Sequence, residues 1–297
     1  MHVLMIGGTR FIGPRLVHRL VARGHSVTVY HRGETEADLP AHVRHVHDPA
    51  AAMPVLSFPR EALQPPLDVV IHTIPMGERD ARAAVDAFRG RAARLVALSS
   101  GDVYRAYGRF TGLEPGPIDN DPLTESSPLR TVLYPYRAQA KSPDDWVYSY
   151  DKILVEQVVL AEPALPAVVL RLPKVYGPGD NADLATMYSF RDHPRWRWTH
   201  GYVENVAEAI VLAACHPRAG GIYNVGEQYT PTIAERLARL PSSSSVAPSP
   251  MPAKFEQDIV YDTGRIRREL GYEEPVSYDE GLRRTLGNPA QPDTGQV

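Results

Sequence analysis

His2-Val3-Leu4-Met5-Ile6-Gly7-Gly8-Thr9-Arg10-Phe11-Ile12-Gly13 is the stretch whose reading decides the fold. His2 to Ile6 is short and apolar, as a strand buried on both faces should be. Gly7-Gly8 then opens a turn. Leu16, Val17, Leu20 and Val21 recur on one face of a following helix, and Gly24 stands where that helix stops. Pro14 fits a first helical turn, where its missing N–H costs nothing. Ser26-Val27-Thr28-Val29-Tyr30 reads as the next strand. Strand, glycine turn, helix and strand in this order begin a dinucleotide-binding unit. A pyrophosphate rests on a helix N-terminus only where the backbone turns sharply and no side chain intervenes. Gly7 is expected to supply the turn and Gly13 the close packing, with Thr9, Arg10, Phe11 and Ile12 lining the path.

Beyond Tyr30 the chain runs His31-Arg32-Gly33. A unit that prefers NAD usually carries Asp or Glu here, about 20 residues past the glycines, to bind the ribose 2′-hydroxyl. Arg32 stands there instead. Its guanidinium suits a 2′-phosphate, and Arg10 can approach from the turn. NADP(H) is therefore favoured and NAD(H) stays open, with His31 and Arg32 as cofactor contacts. The alternative for Arg32 is a solvated loop charge. Residues 43–47 read as a third strand, after which Asp48 is expected at the adenine amino group, or as the start of a turn with Pro49. Residues 49–66 are proline-rich and read as irregular. Strands at 68–72 and 95–98 flank a helix at 80–91, where Ala84, Val85 and Phe88 share a face. This alternation implies an α/β fold: a Rossmann doubly wound parallel sheet with helices on both faces.

Such a sheet puts its ligand loops at the C-terminal ends of its strands. Ser99-Ser100-Gly101-Asp102-Val103-Tyr104 begins at one such end. The connection that follows, 105–145, is long enough to be a substrate wall or lid. Residues 146–162 read as a helix carrying Tyr148 and Lys152 on one face, with Tyr150 on another. A strand at 167–172 runs into Pro173-Lys174-Val175-Tyr176-Gly177-Pro178-Gly179-Asp180. Arg195-Trp196-Arg197-Trp198-Thr199 alternates, so a strand would put its arginines on one face to hold a phosphate or carboxylate; plain surface charge is the alternative. A helix at 203–214, a strand at 222–225, a flexible loop at 241–252 and two helical patterns within 264–286 complete the reading. The expected organisation is a dinucleotide-binding domain over 1–180, rejoined by 203–227. A small substrate-binding cap takes 181–202 and 228–290, and 291–297 form a tail.

Composition excludes several classes. A net charge of −3 gives no basic surface for nucleic acid, so none is expected as a partner. The single cysteine, Cys215, excludes an internal disulfide and a cysteine-cluster metal site, and no metal is expected. No apolar run nears the roughly 20 residues of a membrane span, and the chain enters a strand at once without a signal peptide. A cytoplasmic protein without membrane contact is the expectation.

Taken together, GGTRFIG (7–13), DVVIHT (68–73), LSSGDVY (98–104), PLTESSPL (122–129), YSYDK (148–152), RLPKVYGPGD (171–180), GYVENVAEAI (201–210), YNVGE (223–227) and RIRRELGY (265–272) resemble the extended short-chain dehydrogenase/reductases. These are the group of nucleotide-sugar epimerases and dehydratases, and GGTRF looks like an atypical subgroup that includes stem-loop-binding relatives. The resemblance implies a catalytic set. Tyr148 carries the proton, Lys152 makes that phenol acidic and binds the nicotinamide ribose, and Ser100 hydrogen-bonds the reacting oxygen. It also implies cofactor contacts from Thr73, Pro173 and Val175, a role for Asp102 or Tyr104 at the substrate, and a homodimer by analogy. Two departures stand out: Arg10 replaces the middle glycine, and the segments after Gly179 and Glu227 are short for a bulky sugar-nucleotide. The expected function is hydride transfer between the nicotinamide and a secondary alcohol or ketone of a small sugar-like or natural-product substrate. A non-redox biosynthetic enzyme, or an RNA- or partner-binding module with a structural nucleotide, is the alternative.

Overall fold

The computed structural model describes residues 1–49, 51–64, 66–179, 183–243, 247 and 253–287. Its first half alternates β1 (His2–Ile6), α1 (Ile12–Ala22), β2 (Ser26–His31), β3 (Arg44–His47), β4 (Leu67–His72), α2 (Glu78–Phe88) and β5 (Ala92–Ser100). Then come α3 (Arg105–Phe110), α4 (Lys152–Leu160), β6 (Ala167–Leu172), β7 (Lys174–Tyr176), α5 (Asp183–Ser189) and β8 (His200–Tyr202). The last elements are α6 (Val203–Cys215), β9 (Gly221–Asn224), α7 (Ile233–Leu237), α8 (Gly264–Leu270) and α9 (Tyr278–Gly287).

Seven parallel strands form the sheet in the order β3-β2-β1-β4-β5-β6-β9. The alternation of side chains along each strand divides the core in two. Val3, Met5, Val29, Ile71, Val96 and Leu98 meet Leu16, Val17 and Leu20 of α1 and Val206 and Ile210 of α6. Leu4, Ile6, Val70, Leu95 and Ala97 meet Ala84, Val85 and Phe88 of α2 and Val155 and Val159 of α4. Strand order reverses between β1 and β4, which leaves a crevice beyond their carboxyl ends. β7 and β8 pair as a separate two-stranded parallel sheet.

Two local expectations are corrected. Residues 146–162 are not one helix: Trp146–Ser149 is a single 3₁₀ turn, and α4 begins only at Lys152. Asp151 is the cause, because its carboxylate accepts the Ile153 amide at 3.0 Å and caps the helix there. Residues 195–199 are not a strand either. Arg197 and Trp198 each make one isolated bridge, to Thr232 and Ile259, and Trp196 is buried flat against Phe110 at 4.7 Å. The long connection is held down rather than loose: Tyr104 bridges to Leu129, and Leu123 to Tyr261. Most of the expected loop at 241–252, and the tail at 291–297, lie outside the described residues. Among the described residues, no helix is long and apolar enough to cross a membrane.

His72 closes β4 with a fully buried ring whose two nitrogens have no hydrogen-bond partner. Burial, aided by the charge of Lys152, lowers its pKa from 6.5 to about 3. Between these values the unfolded chain binds a proton that the folded chain refuses. Stability therefore falls as pH drops below about 6.5 and keeps falling toward about 3. At pH 5 the loss is ~2 kcal/mol. His72→Leu should keep or raise Tm at pH 7, because it removes an unpartnered polar ring. It should also shrink the fall in Tm between pH 7 and pH 5; an unchanged fall in thermal melts would clear His72 of that role.

Candidate active site

The crevice is a cleft of about 320 Å³ lined by Gly7 to Gly13, Tyr30 to Thr35, Ala51 to Met53, Val55, Thr73, Ile74 and Leu98, with Ile6 at its base. Its floor is set by steric need. Gly7 and Gly8 have φ of +82° and +111°, which disfavour a side chain. A Cβ at Gly13 would collide with the Gly8 backbone. The start of α1 has neither a side-chain cap nor an acidic residue in its first turn. The Gly13 amide turns back to the Arg10 carbonyl at 2.9 Å and Pro14 has none, so it is the positive dipole end of α1 that faces the cleft in the manner of an anion site.

The sequence-expected cofactor residues divide into two groups. Thr9, Arg10, Phe11, Ile12, His31, Arg32 and Thr73 all line the cleft. Thr9 bonds Thr35 at 2.9 Å, and Thr73 donates to the Ile6 carbonyl at 2.7 Å, tying β4 to β1. Arg10 is exposed at the rim. Asp48, Pro173 and Val175 are not among the lining residues. Asp48 accepts the Tyr30 hydroxyl at 3.0 Å, Pro173 packs where Gly201 and Gly226 lack side chains, and Val175 adjoins the core. Arg32 is ion-paired with Glu34 at 2.8 Å, with both side chains well exposed. Glu34, which lines the cleft, was missed in the sequence because it lies two residues beyond the position where an acid is sought.

Next to the cleft lies a polar centre built on α4 and the end of β5. Lys152 is buried, and its ammonium donates to the Leu98 carbonyl at 3.2 Å and to the Pro75 carbonyl. An ammonium has three donors, so one is left. Burial lowers its pKa from 10.5 to about 8. The turn carrying Pro75 is fixed by buried Asp80, whose carboxylate accepts the amides of Met76 at 2.5 Å and Gly77 at 2.8 Å. A side chain at Gly77 would strike the Ser149 carbonyl, so glycine lets the Tyr148 turn approach.

Asp102 is buried and accepts two phenols on one oxygen: Tyr150 at 2.9 Å and Tyr136 at 3.2 Å. Its other oxygen, Oδ1, is buried without a partner. Burial raises its pKa, and the neighbouring carboxylate holds Tyr150 well above the usual phenol value after burial has already raised it. Lys152 Nζ lies 5.7 Å from the Tyr150 ring centre. Ser100, half-buried, accepts the Asp102 amide at 3.4 Å. Tyr148 sits in the turn before α4 with the Arg137 guanidinium 4.6 Å from its ring. Among the described residues no hydrogen bond joins its hydroxyl to Ser100 or Lys152. Both tyrosines precede α4, so no difference of helical face separates Tyr150 from Tyr148, contrary to the expectation of one helix over 146–162.

Ser99 is structural, donating at 2.6 Å to Glu156, which in turn holds buried Arg171. Tyr104 is fully buried with its hydroxyl on Asn224 at 2.5 Å, which leaves it no surface toward a ligand. Arg197 is paired with Asp258 at 2.7 Å, while Arg195 is exposed. Tyr136 and Arg130, whose Nε donates to the Asp102 carbonyl, were not found in the sequence. The unsatisfied need of a buried Asp102 for donors was the signal available.

Known proteins share this architecture. A dehydratase described as the NAD dependent-NDP-hexosamine 5,6-dehydratase TunA of tunicamycin biosynthesis superposes with a TM-score of 0.69 at 21% identity, covering 97% of both chains. The UDP-glucose 4-epimerase of Thermus thermophilus, solved with NAD, gives 0.67 at 23% identity over 97% of this chain and 98% of that one. The uncharacterized protein y4nL of Sinorhizobium fredii is 24% identical over 187 residues, 47% of this chain. The match spans about half the length of that relative, 52%. The family model described as "NAD dependent epimerase/dehydratase family" matches residues 3–226. With that match over most of its length, the chain belongs to the NAD-dependent epimerase/dehydratase family.

Proposed function

We propose that the chain binds a nicotinamide dinucleotide and catalyses hydride transfer at a secondary alcohol or ketone of a small sugar-like or natural-product substrate. Lys152 carries this reading: a dry, charged ammonium with one donor to spare, beside a glycine-floored cleft at the strand ends. The cleft suits the dinucleotide, because the positive end of α1 meets it with no carboxylate in the helix's first turn. When bound, the dinucleotide supplies hydride donation and acceptance at its nicotinamide carbon. Gly7 to Gly13 hold its phosphates, and Lys152 holds the nicotinamide ribose. Tyr148 gives or takes the substrate proton, and Ser100 orients the reacting oxygen. The family resemblance of YSYDK supports Tyr148 in that role. The described stretches 183–202, 228–243 and 253–287 are proposed to supply the cap that closes over the substrate.

A second reading rests on Asp102. A buried carboxyl with raised pKa and an open oxygen is suited to protonate a leaving hydroxyl. That chemistry is elimination within a redox-neutral cycle, and the dehydratase likeness supports it. Tyr150→Phe leaves Tyr148 in place and weakens only the Asp102 network. Tyr148→Phe should lower hydride transfer by about 10²–10⁴-fold, the usual worth of a positioned acid or base. If Tyr150→Phe takes that loss and Tyr148→Phe does not, the proton belongs to Tyr150.

The charge of Lys152 fixes a pH limb. In the ligand-free protein it is protonated below about pH 8 and neutral above. Dinucleotide affinity measured by titration should therefore decline as pH rises past about 8, and Lys152→Ala should lower the affinity and flatten that decline. The Arg32–Glu34 pair is proposed to set the choice between NADP(H) and NAD(H). Glu34→Gln should free the guanidinium and raise the preference for NADP(H) by about tenfold, one hydrogen-bonded charge contact. Arg32→Asp should reverse it; ratios of kcat/KM unchanged in both variants would defeat the assignment.

A further inference from the structure

β3 is the outer strand of the sheet, and in parallel register with β2 it sets His47 beside His31. His45 lies two residues before His47, so both imidazoles project from the face that carries Val29 and His31. Three rings therefore converge, with centroids 5.2 Å apart for His31 and His45, 4.5 Å for His31 and His47, and 5.7 Å for His45 and His47. Glu36, from the loop after β2, closes the group. His47 Nε2 lies 3.1 Å and His45 Nδ1 3.6 Å from its carboxylate oxygens. His31 Nε2 lies 3.0 Å from His45 Nδ1.

We propose that His31, Glu36, His45 and His47 form a site for one divalent transition cation of the zinc class. One ligand atom from each residue falls within a set no wider than 4.8 Å. A tetrahedral ion bound at about 2.0–2.1 Å separates its ligands by roughly 3.4 Å. The separations of 3.0, 3.1 and 3.6 Å bracket that edge, so small side-chain rotations seat an ion. Three imidazoles exclude magnesium and calcium, which take oxygen ligands, and favour zinc and its neighbours. Four protein ligands leave no open position, so the ion is structural rather than a Lewis acid for the reaction. Arg44, the other charged residue of β3, does not compete, because its guanidinium is spent on the carbonyls of Glu61 and Gln64.

The site acts on the nucleotide cleft through one hydrogen bond. The Gly33 amide donates to His31 Nδ1 at 3.3 Å, which puts the ring proton on Nε2. A cation on Nε2 displaces that proton to Nδ1, and the Gly33 amide must then turn away. Gly33, Glu34 and Thr35 all line the cleft. Loading the ion would therefore re-seat this stretch of the cleft wall, which on the proposed dinucleotide reading is the ribose side. Metal binding itself is independent of which reaction the enzyme performs, and its test needs no substrate.

Untagged protein, stripped with a chelator, is titrated with zinc against a chromogenic competitor, and then with cobalt to read the visible bands of a tetrahedral site. One equivalent per chain is expected, with a rise in Tm. The double variant His45→Ala/His47→Ala should lose more than about 100-fold in affinity, since even outer-shell changes cost 10–100-fold. It should also lose the zinc-dependent rise in Tm while its melt without zinc stays cooperative. Glu36→Gln should bind more weakly than the parent and still give the cobalt bands. Exposed His42 lies outside the cluster, and His42→Ala should bind as the parent does. Absence of stoichiometric binding would overturn the proposal. So would binding that survives the double variant, or binding lost equally in His42→Ala.

Discussion

One buried ion pair beside the polar centre sets the positions of the groups around it. Arg130 and Asp151 meet at 3.2 Å with no exposure of either side chain. The guanidinium also donates to the carbonyls of Asp102 and Val132, and the carboxylate also accepts the amides of Ile153 and Tyr134. The Asp151 amide reaches the Met76 carbonyl at 2.9 Å. Four separate stretches, after β4, after β5, in the long connection and at the start of α4, are thereby locked to one another. Such a pair adds little net stability over apolar packing, yet losing one member leaves a buried charge at a cost of about 3–5 kcal/mol. Its contribution here is to geometry: Lys152 follows Asp151 directly, and Tyr150 precedes it.

That lock explains why the polar centre is built as it is. Tyr150 leaves the turn pointing at Asp102, and Tyr136 arrives at the same oxygen from the long connection. Because both phenols crowd Oδ2, the Oδ1 side remains bare. The connection is therefore part of the site's wall, and its Phe110 fastens it to an aromatic cluster of Phe190, Trp196 and Phe255 from later in the chain. The sheet supplies the complementary half, since β1 and β4 end level at Ile6 and His72 while β5 runs on past Ala97 to carry Ser100.

The sheet was legible because its strands announce themselves locally: runs such as His2 to Ile6 are apolar throughout, and the helices between them repeat every three to four residues. The start of α4 was misread because residues 146–151 contain no glycine or proline, while the decisive signal, Asp151 as a cap, is a single residue. Glu34 lay just outside the searched position. Tyr136 and Arg130 were not legible at all, since Asp102 lies 34 and 28 residues away from them in sequence. The histidine group is an intermediate case. The two-residue spacing of His45 and His47 is visible, but only the register of β2 against β3 brings His31 alongside.

Lys152 has a further consequence for how the site discriminates among ligands. Its ammonium is already buried in the folded chain and rests on two carbonyls. An arriving molecule does not have to dehydrate it. The remaining hydration cost falls on the incoming molecule, and that cost is far smaller for a neutral hydroxyl than for an anion. A cation buried in advance thus adds the same cost for every visitor, and what separates an uncharged alcohol from a carboxylate is each one's own loss of water set against its attraction to the ammonium.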